Sequence, residues 1–317
     1  MEFVEKVHLC EVGPRDGLQN EPNLFTVEEK VELINQMMKA GFKFIEAGSF
    51  VSPKAVPQMG NTDEIFKALK PAKDVELRAL IANARGVDRA VACGCKKVKL
   101  NVSASKAHNL VNLNKTPEES VAGFQECVEK ALANGIGISG SISMAFGSPW
   151  DKEIRVKDVK KIVRAYLKVG VTEISLSDAS GMAYPSQVYD MCMEMKQEFP
   201  QVEWWLHFHN TRGLGIANIV AGMQAGITNF DSSFAGVGGC PFVPGAAGNV
   251  STEDVVHMLD EMKVESGIDL NIVMEAARKV VSLVGHSTDS YLLRAGKSKD
   301  LILELPEGQL KTRQKPK

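Results

Sequence analysis

The sequence predicts an α/β protein built as a closed (β/α)8 barrel with an additional C-terminal helical segment. Three observations lead there. Short β-rich runs alternate eight times with amphipathic helical stretches. Four helix-to-strand joins, Gly41-Phe42, Gly135-Ile136, Gly170-Val171 and Gly226-Ile227, repeat one pattern: a helix closes on glycine and a large apolar residue opens the next strand. No Gly-x-Gly-x-x-Gly follows the first strand, which argues against an open dinucleotide-binding sheet. At 317 residues the chain is long for an ordinary domain and normal for such a barrel.

The strands are expected at Val7–Val12, Phe42–Ala47, Glu76–Ile81, Lys97–Val102, Gly137–Ser143, Glu173–Ser177, Glu203–Phe208 and Asn229–Ser233. Helices are expected between them, among others Thr26–Ala40, Thr116–Asn134 and Val156–Val169, each ending near a glycine. An eighth helix is expected at about Thr252–Met262, and a ninth, Asn271–Val284, reads as an appended cap. Residues 1–285 therefore form the barrel with its flanking helix, and 286–317 a partly disordered extension ending in a basic tail.

Composition narrows the function classes. The chain is 44% hydrophobic and 24% charged with a net charge of −2, so nothing points to a nucleic-acid or membrane partner. Six cysteines are too few and too irregular for a disulfide framework, and Cys93-Gly94-Cys95 reads as packing at a helix end. No apolar run reaches membrane-spanning length and no targeting leader is recognised, so the expected location is cytoplasmic.

In a barrel of this kind, reacting groups belong at the carboxyl ends of the strands. The polar residues placed there are Arg15-Asp16, Glu46, Asn101, Ser143, Asp178, His207 and His209, and Ser232-Ser233. The two histidines are the most informative. Alternate residues of a strand face one way, so both imidazoles enter one space, and a shared metal ion would satisfy both. The alternative is a strand end where both rings meet water. It loses if other ligands converge on the same pole.

Three segments carry a family resemblance. They are Glu11 to Glu21 (Glu-Val-Gly-Pro-Arg-Asp-Gly-Leu-Gln-Asn-Glu), Glu46 to Lys54 (Glu-Ala-Gly-Ser-Phe-Val-Ser-Pro-Lys) and Ala235 to Phe242 (Ala-Gly-Val-Gly-Gly-Cys-Pro-Phe), the last running on through Asn249 to Asp254. Together they resemble the 3-hydroxy-3-methylglutaryl-CoA lyase family of metal-dependent TIM barrels, over about residues 5–285. The resemblance implies Asp16, His207, His209 and Asn249 as ligands of a divalent metal, and that donor set suits Mg²⁺ or Mn²⁺ better than zinc. It also implies Arg15 beside the thioester oxygen, where a guanidinium would stabilise the enolate that develops on C2–C3 cleavage. Glu46 is expected to orient Arg15 or a metal-bound water. Cys240, in a glycine-rich loop, is expected to protonate the departing enolate. Asp16 or His207 accepts the C3 hydroxyl proton, and Gln19 and Asp178 line the substrate pocket.

The chain departs from the family around the substrate. Ser177-Asp178-Ala179 stands for Gly-Asp-Thr, Asn210-Thr211-Arg212-Gly213 for Asp-Thr-Tyr-Gly, and Ser148-Pro149 for Cys-Pro. Pro22, Ser139 and Ser141 replace a lysine, an arginine and a tyrosine expected to touch the CoA arm. Arg212 could instead hold a substrate carboxylate, as a citramalyl-CoA lyase would need, or be a solvated loop residue. A condensing synthase would carry a long C-terminal domain and a Gly-Glu-Arg-x-Gly-Asn loop. A non-catalytic acyl-CoA binder would not need Arg15, Glu46 and Cys240. The expected partner is an acyl-CoA ester, and a homodimer is expected from the family and the extra helix.

Overall fold

Eight parallel strands close on themselves in chain order in a computed structural model that describes residues 3–151, 153–239 and 245–300. They are β1 (His8–Glu11), β2 (Phe44–Ser49), β3 (Glu76–Ile81), β4 (Lys97–Ser103), β5 (Gly137–Ser143), β6 (Glu173–Asp178), β7 (Glu203–Phe208) and β8 (Asn229–Ser232). Closure comes from β1 pairing with β8, with His8 opposite Asn229 and Glu11 opposite Ser232. The helices are α1 (Val27–Ala40), α2 (Thr62–Ala68), α3 (Ala84–Cys93), α4 (Lys106–Leu113), α5 (Pro117–Ala122), α6 (Phe124–Ala133), α7 (Val156–Lys168), α8 (Pro185–Glu198), α9 (Gly215–Gln224), α10 (Thr252–Met262), α11 (Leu270–Val284) and α12 (Tyr291–Ala295).

Local chemistry sets these bounds. Thr26 and Glu29 form a reciprocal capping box at the start of α1. The four recurrent glycines all hold positive φ, 110° at Gly41, 68° at Gly135, 85° at Gly170 and 75° at Gly226, which ends each helix and releases the chain into the next strand. The single helix expected over 116–134 is two. It breaks at Gly123, and Phe124 then stacks on Tyr166 with ring centroids 4.4 Å apart.

The amino-terminal end of the barrel is plugged. Arg78 on β3 lies 4.7 Å from the Phe44 ring centroid and 4.6 Å from that of Trp205, while donating to Glu76 and Glu173 at 2.5 and 2.7 Å. That leaves the carboxyl end as the mouth. Beyond α11 the chain stays on the barrel, because Asp254 accepts from the backbone amides of Tyr291 and Leu292 at 3.0 and 2.7 Å and Leu292 is buried. The expected extension is therefore packed as far as residue 300, and 301–317, with the basic tail, lie outside the described residues. Among the described residues no helix is long and apolar enough to cross a membrane.

Candidate active site

The segment after β1 builds the first wall of the mouth. Val12 carbonyl accepts from the amides of Arg15, Asp16 and Gly17, at 3.1, 2.7 and 3.4 Å, winding Gly13–Gly17 into one wide turn that turns Arg15 and Asp16 inward. Glu11 fixes that turn. Its carboxyl group accepts from the amides of Gly13 and Phe234 at 2.7 and 3.0 Å and shares a hydrogen bond with the Thr252 hydroxyl at 2.7 Å, tying β1, β8 and α10 together. Burial pushes its acid constant up to about 8, against the pull of those donors.

Three of the expected ligands meet. Asp16, His207 and His209 each offer one ligand atom, and these lie within 4.8 Å of one another. Asp16 Oδ2 stands 3.8 Å from His207 Nε2 and 3.7 Å from His209 Nε2. Those gaps are too long for hydrogen bonds, and a cation about 2.0–2.2 Å from each atom fits between them. Asn249 reaches the same carboxylate, its amide nitrogen donating to Asp16 Oδ2 at 2.7 Å. It arrives there because the stretch before α10 runs antiparallel to the end of β7, pairing Asn249 with His209, with the Asn210 amide on the Gly248 carbonyl at 2.9 Å. Gly248 permits the close approach: a Cβ there would sit 1.7 Å from the Gly236 carbonyl oxygen.

Two electrostatic features test whether these residues fit a divalent cation. Burial, reinforced by His207, pulls His209 down to about 4, so its imidazole is neutral and its lone pair free. Burial opposes ionisation of Asp16, yet Arg15 and both histidines hold it well below the usual carboxylate range. His207 donates from Nδ1 to Asp231 Oδ2 at 3.1 Å, which turns Nε2 toward Asp16 in the manner of a metal-facing histidine. An anionic carboxylate and two imidazole Nε2 atoms fit a divalent cation.

Arg15 is held from two sides. Its Nε donates to Glu46 Oε1 at 2.5 Å and its Nη1 to Asp16 Oδ1 at 2.6 Å; among the described residues no acceptor takes its Nη2. Gln19 also donates to Asp16 Oδ1, at 3.2 Å. Glu46, wholly buried, uses its second oxygen to accept from Lys99 Nζ at 2.7 Å. Burial works against its ionisation, and Arg15 and Lys99 outweigh that.

Asp178 does not present its carboxylate to a pocket: Ser180 Oγ and the amides of Met182 and Ala183 take it at 2.9, 3.0 and 2.8 Å, so it holds the loop after β6. Arg212 donates from Nη1 to the carbonyls of Ser180 and Gly181 at 3.1 and 3.0 Å and so tethers that loop. Ser139 lies 1% exposed in the amino-terminal half of β5, below the mouth and away from any CoA arm. Cys240 lies outside the described residues; Gly239 before it is held at the mouth by Asn20 Nδ2 on its carbonyl at 2.8 Å. Glu11, Lys99 and Asp231 belong to the site and were not anticipated. Lys99 and Asp231 are charges at inward strand positions and Glu11 a charge between the sheet and α10, places that offer no solvent, and that pattern was the available signal.

A family model described as HMGL-like matches residues 6–280. The chain belongs to the HMGL-like family. It is similar to the hydroxymethylglutaryl-CoA lyase of Bacillus subtilis, 37% identical over 298 residues that cover 94% of this chain and 100% of the relative. The (R)-citramalyl-CoA lyase of Chloroflexus aurantiacus is also 37% identical, over 92% of this chain and 96% of its own. Among solved structures, an HMG-CoA lyase from Acinetobacter baumannii in complex with coenzyme A and 3-methylmalate superposes with a TM-score of 0.91 at 40% identity, covering 96% of this chain and 100% of that one. The HMGL-like chain shares both the barrel and its length with these lyases.

Proposed function

We infer that this protein is a carbon–carbon lyase that splits the C2–C3 bond of a 3-hydroxy-3-methylacyl-CoA, taking hydroxymethylglutaryl-CoA to acetoacetate and acetyl-CoA. The observation that carries the reading is the meeting of Asp16, His207 and His209 beside an Arg15 whose Nη2 has no protein acceptor among the described residues. A divalent Mg²⁺ or Mn²⁺ held by Asp16, His207, His209 and Asn249 would supply Lewis acidity at the substrate's C3 end. The C3 hydroxyl proton passes to Asp16, whose Oδ1 is not the oxygen facing the two histidine nitrogens. Negative charge then grows on the thioester oxygen. Arg15, fixed by Glu46 and Asp16, supplies a donor whose position needs no reorganisation as that charge appears. Cys240 delivers the proton that turns the enolate into acetyl-CoA.

The direct test is acetyl-CoA and acetoacetate release from hydroxymethylglutaryl-CoA, lost on chelation and regained with Mg²⁺ or Mn²⁺. A citramalyl-CoA lyase is the second reading, favoured by a relative of that activity at equal identity. A much higher kcat/KM for citramalyl-CoA would select it. The reading extends to a homodimer and to the cytoplasm, where five described cysteines, all free and buried, would remain reduced.

A further inference from the structure

We propose that Lys99 is the positioning residue of this site, a single buried ammonium that sets the geometry of both the arginine arm and the histidine arm. Lys99 sits on the inner face of β4 and is 4% exposed. Its Nζ lies 2.7 Å from Glu46 Oε2 on β2 and 3.6 Å from Asp231 Oδ2 on β8, so it spans the barrel interior. Each carboxylate passes the constraint on. Glu46 gives its other oxygen to Arg15 Nε at 2.5 Å, and Asp231 gives the same Oδ2 to His207 Nδ1 at 3.1 Å. Arg15 and His207 in turn flank Asp16, through Nη1 at 2.6 Å and Nε2 at 3.8 Å.

The result is a closed ring, Lys99–Glu46–Arg15–Asp16–His207–Asp231, in which the cations Lys99 and Arg15 alternate with carboxylates and the His207 imidazole stands between Asp16 and Asp231. Charge bookkeeping shows why the ring needs the lysine. Asp16, Glu46 and Asp231 are three buried carboxylates, and without Lys99 they would be left with Arg15 in ion-pair contact and Arg78, beyond ion-pair distance, acting on Asp231. An uncompensated buried charge pulls its neighbours toward itself. Glu46 would then draw Arg15 down from the thioester side, and Asp231 would draw the His207 ring away from Asp16. Lys99 Nζ pairs with Glu46 and Asp231 and, among the described residues, with none of the proposed metal ligands, so it acts through those two carboxylates.

The proposal rests on the lyase reading for its rate measurement but not for its binding measurement. Lys99→Met and Lys99→Arg are compared with wild type in two assays: kcat and KM for the CoA ester, and Mn²⁺ titrated into metal-free protein by calorimetry. The methionine variant is expected to lose about 10²-fold in kcat with KM little changed. It is also expected to bind Mn²⁺ about 10-fold or more weakly. The arginine variant should recover most of both. Wild-type kcat and Mn²⁺ affinity in Lys99→Met would overturn the proposal, as would equal losses in the methionine and arginine variants. Should methionine prevent folding, Lys99→Gln takes its place; failure of both neutral variants to fold assigns the lysine to barrel stability alone and equally overturns it. A wild-type protein that binds Mn²⁺ yet cleaves no CoA ester counts against the lyase reading and leaves the binding comparison to decide on Lys99.

Discussion

Glu46→Gln perturbs the site at its most heavily shared carboxylate. The side chain is wholly buried, with Oε1 on Arg15 Nε at 2.5 Å and Oε2 on Lys99 Nζ at 2.7 Å. A glutamine keeps the size and one acceptor. If its oxygen stays on Arg15, its amide protons meet the Lys99 ammonium, donor against donor, and one buried cation loses most of its compensation. Breaking a buried ion pair from one side costs about 3–5 kcal/mol, and the retained acceptor places this variant near 3 kcal/mol. That corresponds to a fall of about 5–10 °C in thermal midpoint. Arg15 loses its anionic anchor as well, so kcat should drop about 10²–10³-fold with KM little changed. Thermal denaturation and acetyl-CoA release measure the two effects. Adding Lys99→Met removes the unpaired ammonium, so the double variant should be more stable than Glu46→Gln alone, with a coupling of about 0.5–3 kcal/mol. A single variant with wild-type midpoint and kcat would refute the reasoning.

Three further outcomes are expected from the same geometry. Glu11 holds a proton in the fold up to about 8 that the unfolded chain loses near 4.5, so its contribution to stability is full at low pH and declines as pH rises between those values. In Glu11→Gln the amide can face Thr252, whose hydroxyl then accepts and donates to Ser232 Oγ 2.9 Å away, and that decline, at most about 1.4 kcal/mol per pH unit, should vanish. Parallel melting curves of wild type and variant across this range would contradict it. Gly248→Ala drives a methyl group into the Gly236 carbonyl and must displace Asn249; calorimetry should show Mn²⁺ affinity lowered about 10-fold. Cys240→Ser should lower kcat by about 10²-fold or more while leaving Mn²⁺ binding at its wild-type value, and an unchanged kcat would remove the thiol from the reaction.

The barrel was readable because its periodic signals are local. Four Gly–apolar joins carry positive φ where a helix must stop, and the strand at Glu203–Phe208 lies where expected. The His207 and His209 spacing predicted a shared space, and the structure brings their ring centroids to 5.2 Å. What stayed hidden is non-local. Lys99 reads in sequence as one more lysine in Lys-Val-Lys-Leu, and only closure of the barrel puts it against Glu46 from β2 and Asp231 from β8. Asp178 was hidden for a related reason: the backbone amides of the loop after β6 take its carboxylate, and such contacts leave no spacing signal.

We propose one divalent ion, held by Asp16, His207, His209 and Asn249, on which cleavage depends. Calorimetry of the chelated protein with Mn²⁺, run beside acetyl-CoA release on the same samples, tests it most directly. One ion should bind per chain, activity should return in proportion to occupancy, and His209→Ala should lose both together. Full activity in the chelated protein, or undiminished Mn²⁺ binding in His209→Ala, would contradict the account.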